Sequence, residues 1–246
     1  MKTKDIIEDY DRIYSTSGLR ANIAYYRWIV KLLNPKQNSK VLDISCGEGL
    51  LLKEITKLNR GIKTFGLDIS KVAVMISKRN SPDSKIVIAD GQRVPFRDSY
   101  FDYVTCLGSL EHYLKPELGL KEMLRVSKEE SKFVIVLPNS ISIDLILEVL
   151  KTGNKPKEDF QIIERKATKK EWVDLLTKNG LNINAVYKSN PYPELFQEGT
   201  FKIKSLKKYF KRLLIKIFVP LNLAREFVFI CTKDILKNEQ QYNRII

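Results

Sequence analysis

The residues whose types and spacing suit chemistry begin at Val41-Leu42-Asp43-Ile44-Ser45-Cys46-Gly47-Glu48-Gly49, an apolar run that ends in a turn of small residues and then enters a helix over 50–58. Glycine reaches positive φ without steric cost and lets a ligand touch the main chain, where any Cβ would take the ligand's space. Gly47 and Gly49 therefore read as a cofactor loop. Strand, turn and helix open dinucleotide sites, nucleoside sites and plain turns alike, so this segment alone leaves the three open. A second strand over 63–68 then ends in Asp68, 19 residues past Gly49. A carboxylate at that strand tip accepts the ribose hydroxyls of a nucleoside through charge-assisted hydrogen bonds. It equally suits the cap of a helix expected over 70–78, and different atoms can serve both roles.

Two more strands follow. One over 85–89 runs into Asp90-Gly91, and one over 101–107 runs into Gly108-Ser109-Leu110-Glu111-His112; a helix over 120–126 then precedes a fifth strand over 132–137. In this order the motifs resemble the class I S-adenosylmethionine-dependent methyltransferases, in their common small-molecule form. The family pattern VLDxGCGxG stands here as VLDISCGEG and its acid as Leu67-Asp68. Its D before PF is Ala89-Asp90 with Val94-Pro95-Phe96, its FDxV is Phe101-Asp102-Tyr103-Val104, and its LEH is Leu110-Glu111-His112. The match covers about residues 38–138.

The resemblance implies an α/β, Rossmann-like sheet of seven mostly parallel strands in the order 3-2-1-4-5-7-6. Strand 7 would be antiparallel, helices would flank the sheet, and S-adenosylmethionine would be the cofactor. By the same likeness, Asp43 and the main chain at Gly47 and Gly49 hold the methionine part, Asp68 with Ile69 the ribose, and Asp90 with Gly91 the adenine. Leu107 and Ser109 line the pocket beneath the reacting methyl, and Tyr10, Tyr14 and Tyr113 stand on the lid or acceptor side. Two positions depart from the family. Ser45 replaces the first loop glycine and adds a Cβ and a hydroxyl near the methionine end, which counts against tight binding. Glu130-Ser131-Lys132 replaces the usual PGG turn, away from the chemistry.

Length and composition fit one domain. The 246 residues are 43% apolar, enough for a full core within a single α/β sheet. Cys46, Cys106 and Cys231 are scattered along strands, so neither a disulfide framework nor a metal site is expected, and a reducing cytoplasm is. The first residues lack an apolar signal core, and no apolar run reaches the roughly 18 residues that span a bilayer. Beyond the core over 38–138, three regions are individual. Residues 1–35 read as one or two helices rich in aromatics, Tyr10, Tyr14, Tyr25, Tyr26 and Trp28, which pack on the sheet or lid the cofactor. Residues 139–167 form an insertion with an apolar stretch over 141–150 and a charged loop over 151–159. A helix over 168–179 with Thr168 as N-cap and Gly180 as its stop leads to a sixth strand over 182–188, and a seventh strand spans 226–231.

Between those last strands lies an insertion over 190–225 that carries much of the net charge of +14. Lys202, Lys204, Lys207, Lys208, Lys211, Arg212 and Lys216 alternate with apolar residues, and Leu206, Phe210, Leu213 and Ile217 recur at helical spacing until Pro220. Such a basic amphipathic helix over 201–221 either packs its apolar side on the domain, lies on an anionic membrane, or meets RNA phosphates, in that order of expectation. The cytoplasm, with peripheral contact at the inner face of the membrane, is the expected location.

The expected chemistry is methyl transfer to an oxygen, less readily a nitrogen or carbon, of a small, lipid-linked or glycan-linked metabolite. A hydroxyl acceptor needs a base, and the chain's sole histidine, His112, follows the fourth strand on the correct edge. The family carries histidine there with unrelated acceptors, which favours a structural role on the cofactor side. Methyltransferases of base amino groups place an Asn-Pro-Pro-Tyr-like tetrad after the fourth strand, where this chain has Cys106-Leu107-Gly108-Ser109; Asn190-Pro191-Tyr192-Pro193 follows the sixth strand instead. RNA methylation and a non-catalytic, cofactor-binding partner subunit stand as alternatives.

Overall fold

The structure is a computed structural model and describes residues 3–16, 22–58, 61–154, 163–189, 196–197, 200–201, 214 and 217–234. Among them, seven strands form one sheet: β1 (Lys40–Ile44), β2 (Lys63–Asp68), β3 (Lys85–Ile88), β4 (Phe101–Leu107), β5 (Ser127–Pro138), β6 (Leu181–Ser189) and β7 (Glu226–Lys233). Their order is β3-β2-β1-β4-β5-β7-β6. Neighbours run parallel from β3 to β5, whereas β7 is antiparallel to both β5 and β6. Strand order therefore reverses between β1 and β4, and the carboxyl ends of these two strands are where such sheets bind ligands.

Both faces of the sheet are covered, so its central strands are apolar on both sides. Period two sorts the residues: Phe133 and Ile135 of β5 with Phe227, Phe229 and Cys231 of β7 join one cluster, and Val134, Val136, Val228 and Ile230 join the other. Helices α1 (Thr3–Thr16), α2 (Ile23–Leu33), α3 (Leu50–Leu58), α4 (Lys71–Asn80), α5 (Pro116–Val126), α6 (Ile143–Thr152) and α7 (Lys169–Lys178) connect the strands. Ile29 and Leu33 of α2 and Leu51 and Ile55 of α3 close one face, while Trp172 and Leu176 of α7 and Leu120 and Met123 of α5 close the other. Each fully buried side chain of this kind contributes about 1.5–3 kcal/mol.

Several element ends differ from expectation for local reasons. Helix α4 is capped by Ser70, whose hydroxyl accepts from the Ala73 N–H, while Asp68 stands two residues earlier. Helix α5 starts at Pro116 rather than 120, because proline at the first helical position has no N–H to leave unpaired. Strand β5 starts at Ser127 because a bulge opposite Phe101 lets it pair early, with the Ser131 hydroxyl donating to the Phe101 carbonyl. The apolar stretch after β5 is helix α6, capped by Ser142 and stopped by Gly153 at φ 68°. Helix α7 carries a capping box between Thr168 and Glu171. The basic amphipathic helix expected over 201–221 and the Asn190 to Pro193 loop lie largely outside the described residues. Within that insertion, 196–197 pair with 200–201, and Leu214, Ile217 and Phe218 are helical.

Candidate cofactor and acceptor site

The turn after β1 is left-handed at alternate positions, Ser45 at φ 56°, Gly47 at 51° and Gly49 at 71°. The Cys46 N–H donates to the Leu67 carbonyl, which keeps the turn beside the tip of β2. A Cβ on Gly49 would stand 2.2 Å from the Ser77 hydroxyl and 3.1 Å from its Cα, so this glycine exists to let α4 approach. A Cβ on Gly47 would stand 2.7 Å from the Tyr14 hydroxyl, since α1 lies over the turn. Asp11 docks that helix, accepting from the Ser70 hydroxyl and the Val72 N–H.

Ser45 is the non-glycine residue in this left-handed series. Its hydroxyl pairs with the Tyr113 hydroxyl at 2.8 Å. Tyr113 is buried, and a Cβ on Gly91 or Gly119 would overlap its ring or hydroxyl. One tyrosine thus links the turn after β1 to the Asp90-Gly91 turn after β3 and to α5. Asp90 accepts from the Gln92 N–H at 2.8 Å, which shapes that second turn.

Two carboxylates are buried at the strand tips. Asp68 accepts from the Gly47 N–H through Oδ2 at 2.8 Å and from the Ser70 N–H through Oδ1 at 2.9 Å. Burial nonetheless lifts its pKa to about 6. Asp43 accepts from the Thr105 hydroxyl at 2.6 Å, and burial lifts it to about 7. Besides burial, the chief influences on the pair are these donors and neighbouring carboxylates rather than a lysine or arginine. Each carboxylate oxygen keeps a further lone pair for a ligand donor. Such a site favours a ligand that is cationic and rich in hydroxyls, and it repels the phosphates of a dinucleotide. S-adenosylmethionine, with a sulfonium, an ammonium and a ribose diol, fits this donor set.

Leu107, Gly108 at φ 64° and Ser109 carry the chain from β4 into the short helical turn Leu110–His112. His112 gives Nδ1 to the Ile163 carbonyl, its Nε2 lies 3.6 Å from Glu111 Oε1, and Tyr10 meets its ring edge-on at 6.5 Å. Burial and the nearby carboxylates Glu111 and Asp68 push the Tyr10 hydroxyl above its ordinary range; burial and Asp68 do the same to Tyr14. Tyr10, Tyr14, His112 and Tyr113 therefore stand with Asp68 around one edge of the sheet, and half-buried Ile69 follows Asp68 there.

Sequence reasoning passed over two organising residues. Arg165, returning from the insertion after β5, donates to the main-chain carbonyls of Glu111, Tyr113 and Leu114 and so holds the His112 turn. Asp11 is the other. Neither stands in a motif, and an isolated arginine or a helical aspartate gives no periodic signal.

Residues 42–135 match the family model of the methyltransferase domain. A demethylmenaquinone methyltransferase of Paenarthrobacter aurescens is 28% identical over 131 residues, 53% of this chain and 51% of that one. An uncharacterised protein of Methanocaldococcus jannaschii is 31% identical over 170 residues, 69% of this chain and 63% of that one. The chain thus spans about half the length of the first and under two thirds of the second. A solved Thermotoga maritima protein, described as an S-adenosylmethionine-dependent methyltransferase and possible histamine N-methyltransferase, superposes with a TM-score of 0.62 at 20% identity, over 94% of this chain and 97% of that one. Residues 42–135 accordingly match a methyltransferase domain, and the chain shares the fold of that Thermotoga maritima protein.

Proposed function

We propose that this protein is an enzyme that transfers a methyl group from S-adenosylmethionine to an oxygen of a small, lipid-linked or glycan-linked acceptor. The observation that carries the reading is the pair of buried carboxylates, Asp43 and Asp68, set against a left-handed turn, with no lysine or arginine of the described residues among their chief influences. The cofactor brings a methyl group on a cationic sulfur, activated for in-line transfer. The protein's part is then to bind, orient and exclude water. Asp68 takes the ribose hydroxyls, Asp90 and Gly91 border the adenine, and Leu107 and Ser109 line the methyl side. Helix α1, with Tyr10 and Tyr14 beside the loop, acts as the lid. His112 is the candidate base: its Nδ1 hydrogen is given to the Ile163 carbonyl, and Nε2, 3.6 Å from Glu111 Oε1, is the nitrogen that would take the acceptor's proton.

The whole chain is read as one domain, with the insertions over 139–167 and 190–225 recognising the acceptor. Peripheral contact with an anionic membrane through residues 201–221 suits a lipid-linked acceptor, and no described helix is long and apolar enough to cross a membrane. Calorimetric titration with S-adenosylmethionine and S-adenosylhomocysteine, repeated on Asp68→Ala, tests the reading. Binding weakened tenfold or more, about 1.4 kcal/mol, is expected in the variant. Absence of binding in the unaltered protein would overturn it.

A further inference from the structure

Helix α6 is amphipathic throughout and yet has no buried side chain. At 3.6 residues per turn, Ile143, Leu145, Ile146, Leu147, Val149 and Leu150 fall within an arc of about 200°, and Asp144, Glu148, Lys151 and Thr152 fill the rest. A stripe of that width normally faces a core. Here Leu150 is 76% exposed and Leu147 46%. A second exposed apolar group, Leu214, Ile217 and Phe218, ends the other insertion, with Phe218 at 74%.

The two groups share a base. Pro138 at the end of β5 pairs with Glu226 at the start of β7, so both insertions leave the sheet at the same rung. Just beyond it, the buried Asn139 side chain donates to the carbonyls of Ile141, Asn222 and Ala224. One side chain thereby ties the start of α6 to the segment that follows Phe218. Lys188 secures that segment from the other side through the Val219 carbonyl. The rung lies at the carboxyl end of β5, the edge that also carries the His112 turn.

Charge selects the occupant. Residues 200–225 contain eight lysines and arginines and no acid. An exposed apolar surface joined to such a run matches an anionic bilayer, where apolar side chains enter the boundary between headgroups and acyl chains and the cations meet the headgroups. We propose that α6, together with Leu214, Ile217 and Phe218, forms one membrane-docking face for anionic lipid at the mouth of the acceptor site. The inference rests on the reading of the basic segment as a membrane contact and supplies the inserting element that reading lacked.

The test is co-sedimentation of the full chain with vesicles of phosphatidylcholine alone and of phosphatidylcholine mixed with the anionic lipid phosphatidylglycerol. Light scattering and S-adenosylmethionine titration are run on the same preparations. Expected is binding to the anionic vesicles that falls at least tenfold in Leu147→Glu with Leu150→Glu, while thermal stability and cofactor affinity stay unchanged. Equal binding by that variant, or none by the unaltered protein, overturns the docking face. A dimer that the same substitutions convert to a monomer assigns α6 to a second copy and also overturns it. Vesicle binding without cofactor binding would leave the face standing and remove the methyltransferase reading instead.

Discussion

Acidifying the cofactor-free protein from pH 8 to pH 5 should make it more stable, the reverse of what salt-bridged carboxylates produce. Asp43 titrates at about 7 and Asp68 at about 6 in the folded protein, against 3.8 for an ordinary aspartate, and burial is the main cause for both. Both carboxylates are ionised in the unfolded chain across this range. Between pH 3.8 and 7 the folded state therefore holds more protons, so stability falls as pH rises through that window. Integrating the linkage from pH 8 to pH 5 yields about 1 kcal/mol for Asp68 and about 3 kcal/mol for Asp43 taken alone. Because the two repel each other, one proton relieves both, and roughly 3 kcal/mol is the expected total. In a chain of this size that is roughly 6–12 °C in Tm. Urea unfolding and thermal scans at the two pH values measure it. Asp43→Asn keeps an acceptor for the Thr105 hydroxyl and should remove more than half of the effect. Saturating S-adenosylmethionine should flatten the dependence, since a cationic ligand favours the ionised pair. A Tm that is level or lower at pH 5 in the free protein would refute the reasoning.

Gly49→Ala should cost about 2–4 kcal/mol, from a left-handed φ together with overlap on Ser77. Ser77→Gly should recover part of that loss, as urea midpoints would register. Tyr113→Phe should cost about 1 kcal/mol through the unpaired Ser45 hydroxyl. Ser45→Gly should be near neutral, because relief of the left-handed serine offsets the lost bond. The double variant should therefore be more stable than the sum of the two, and strict additivity would sink the pairing. If the acceptor is a hydroxyl, His112→Asn should lower turnover about 10²-fold or more with little change in cofactor affinity. A loss below tenfold would leave His112 a positioning residue.

The strands are legible in the sequence because each rests on a local pattern, and their order is what the family resemblance of the motifs implies. Apolar runs of strand length end in small residues or acids, and the motifs come in one order. What stays hidden is the neighbour that each small residue makes room for. Gly49 answers to Ser77, and Gly91 and Gly119 both answer to Tyr113, contacts that no local pattern encodes. Ser45 reads as a loss when only the turn is considered, and the structure supplies its partner from 68 residues along the chain. The candidate base is a stronger case. His112 belongs to a shared motif, yet its orientation is set by the Ile163 carbonyl, and its turn is held by Arg165, both from the insertion after β5. That insertion also carries α6. A change of acceptor or surface contact in this segment therefore reaches the histidine through the main chain of 163–167, without altering any residue of the cofactor loop. Arg165→Ala should accordingly loosen the His112 turn, lowering kcat while the affinity for S-adenosylhomocysteine holds. An equal loss in both would mean that the turn belongs to the cofactor side alone.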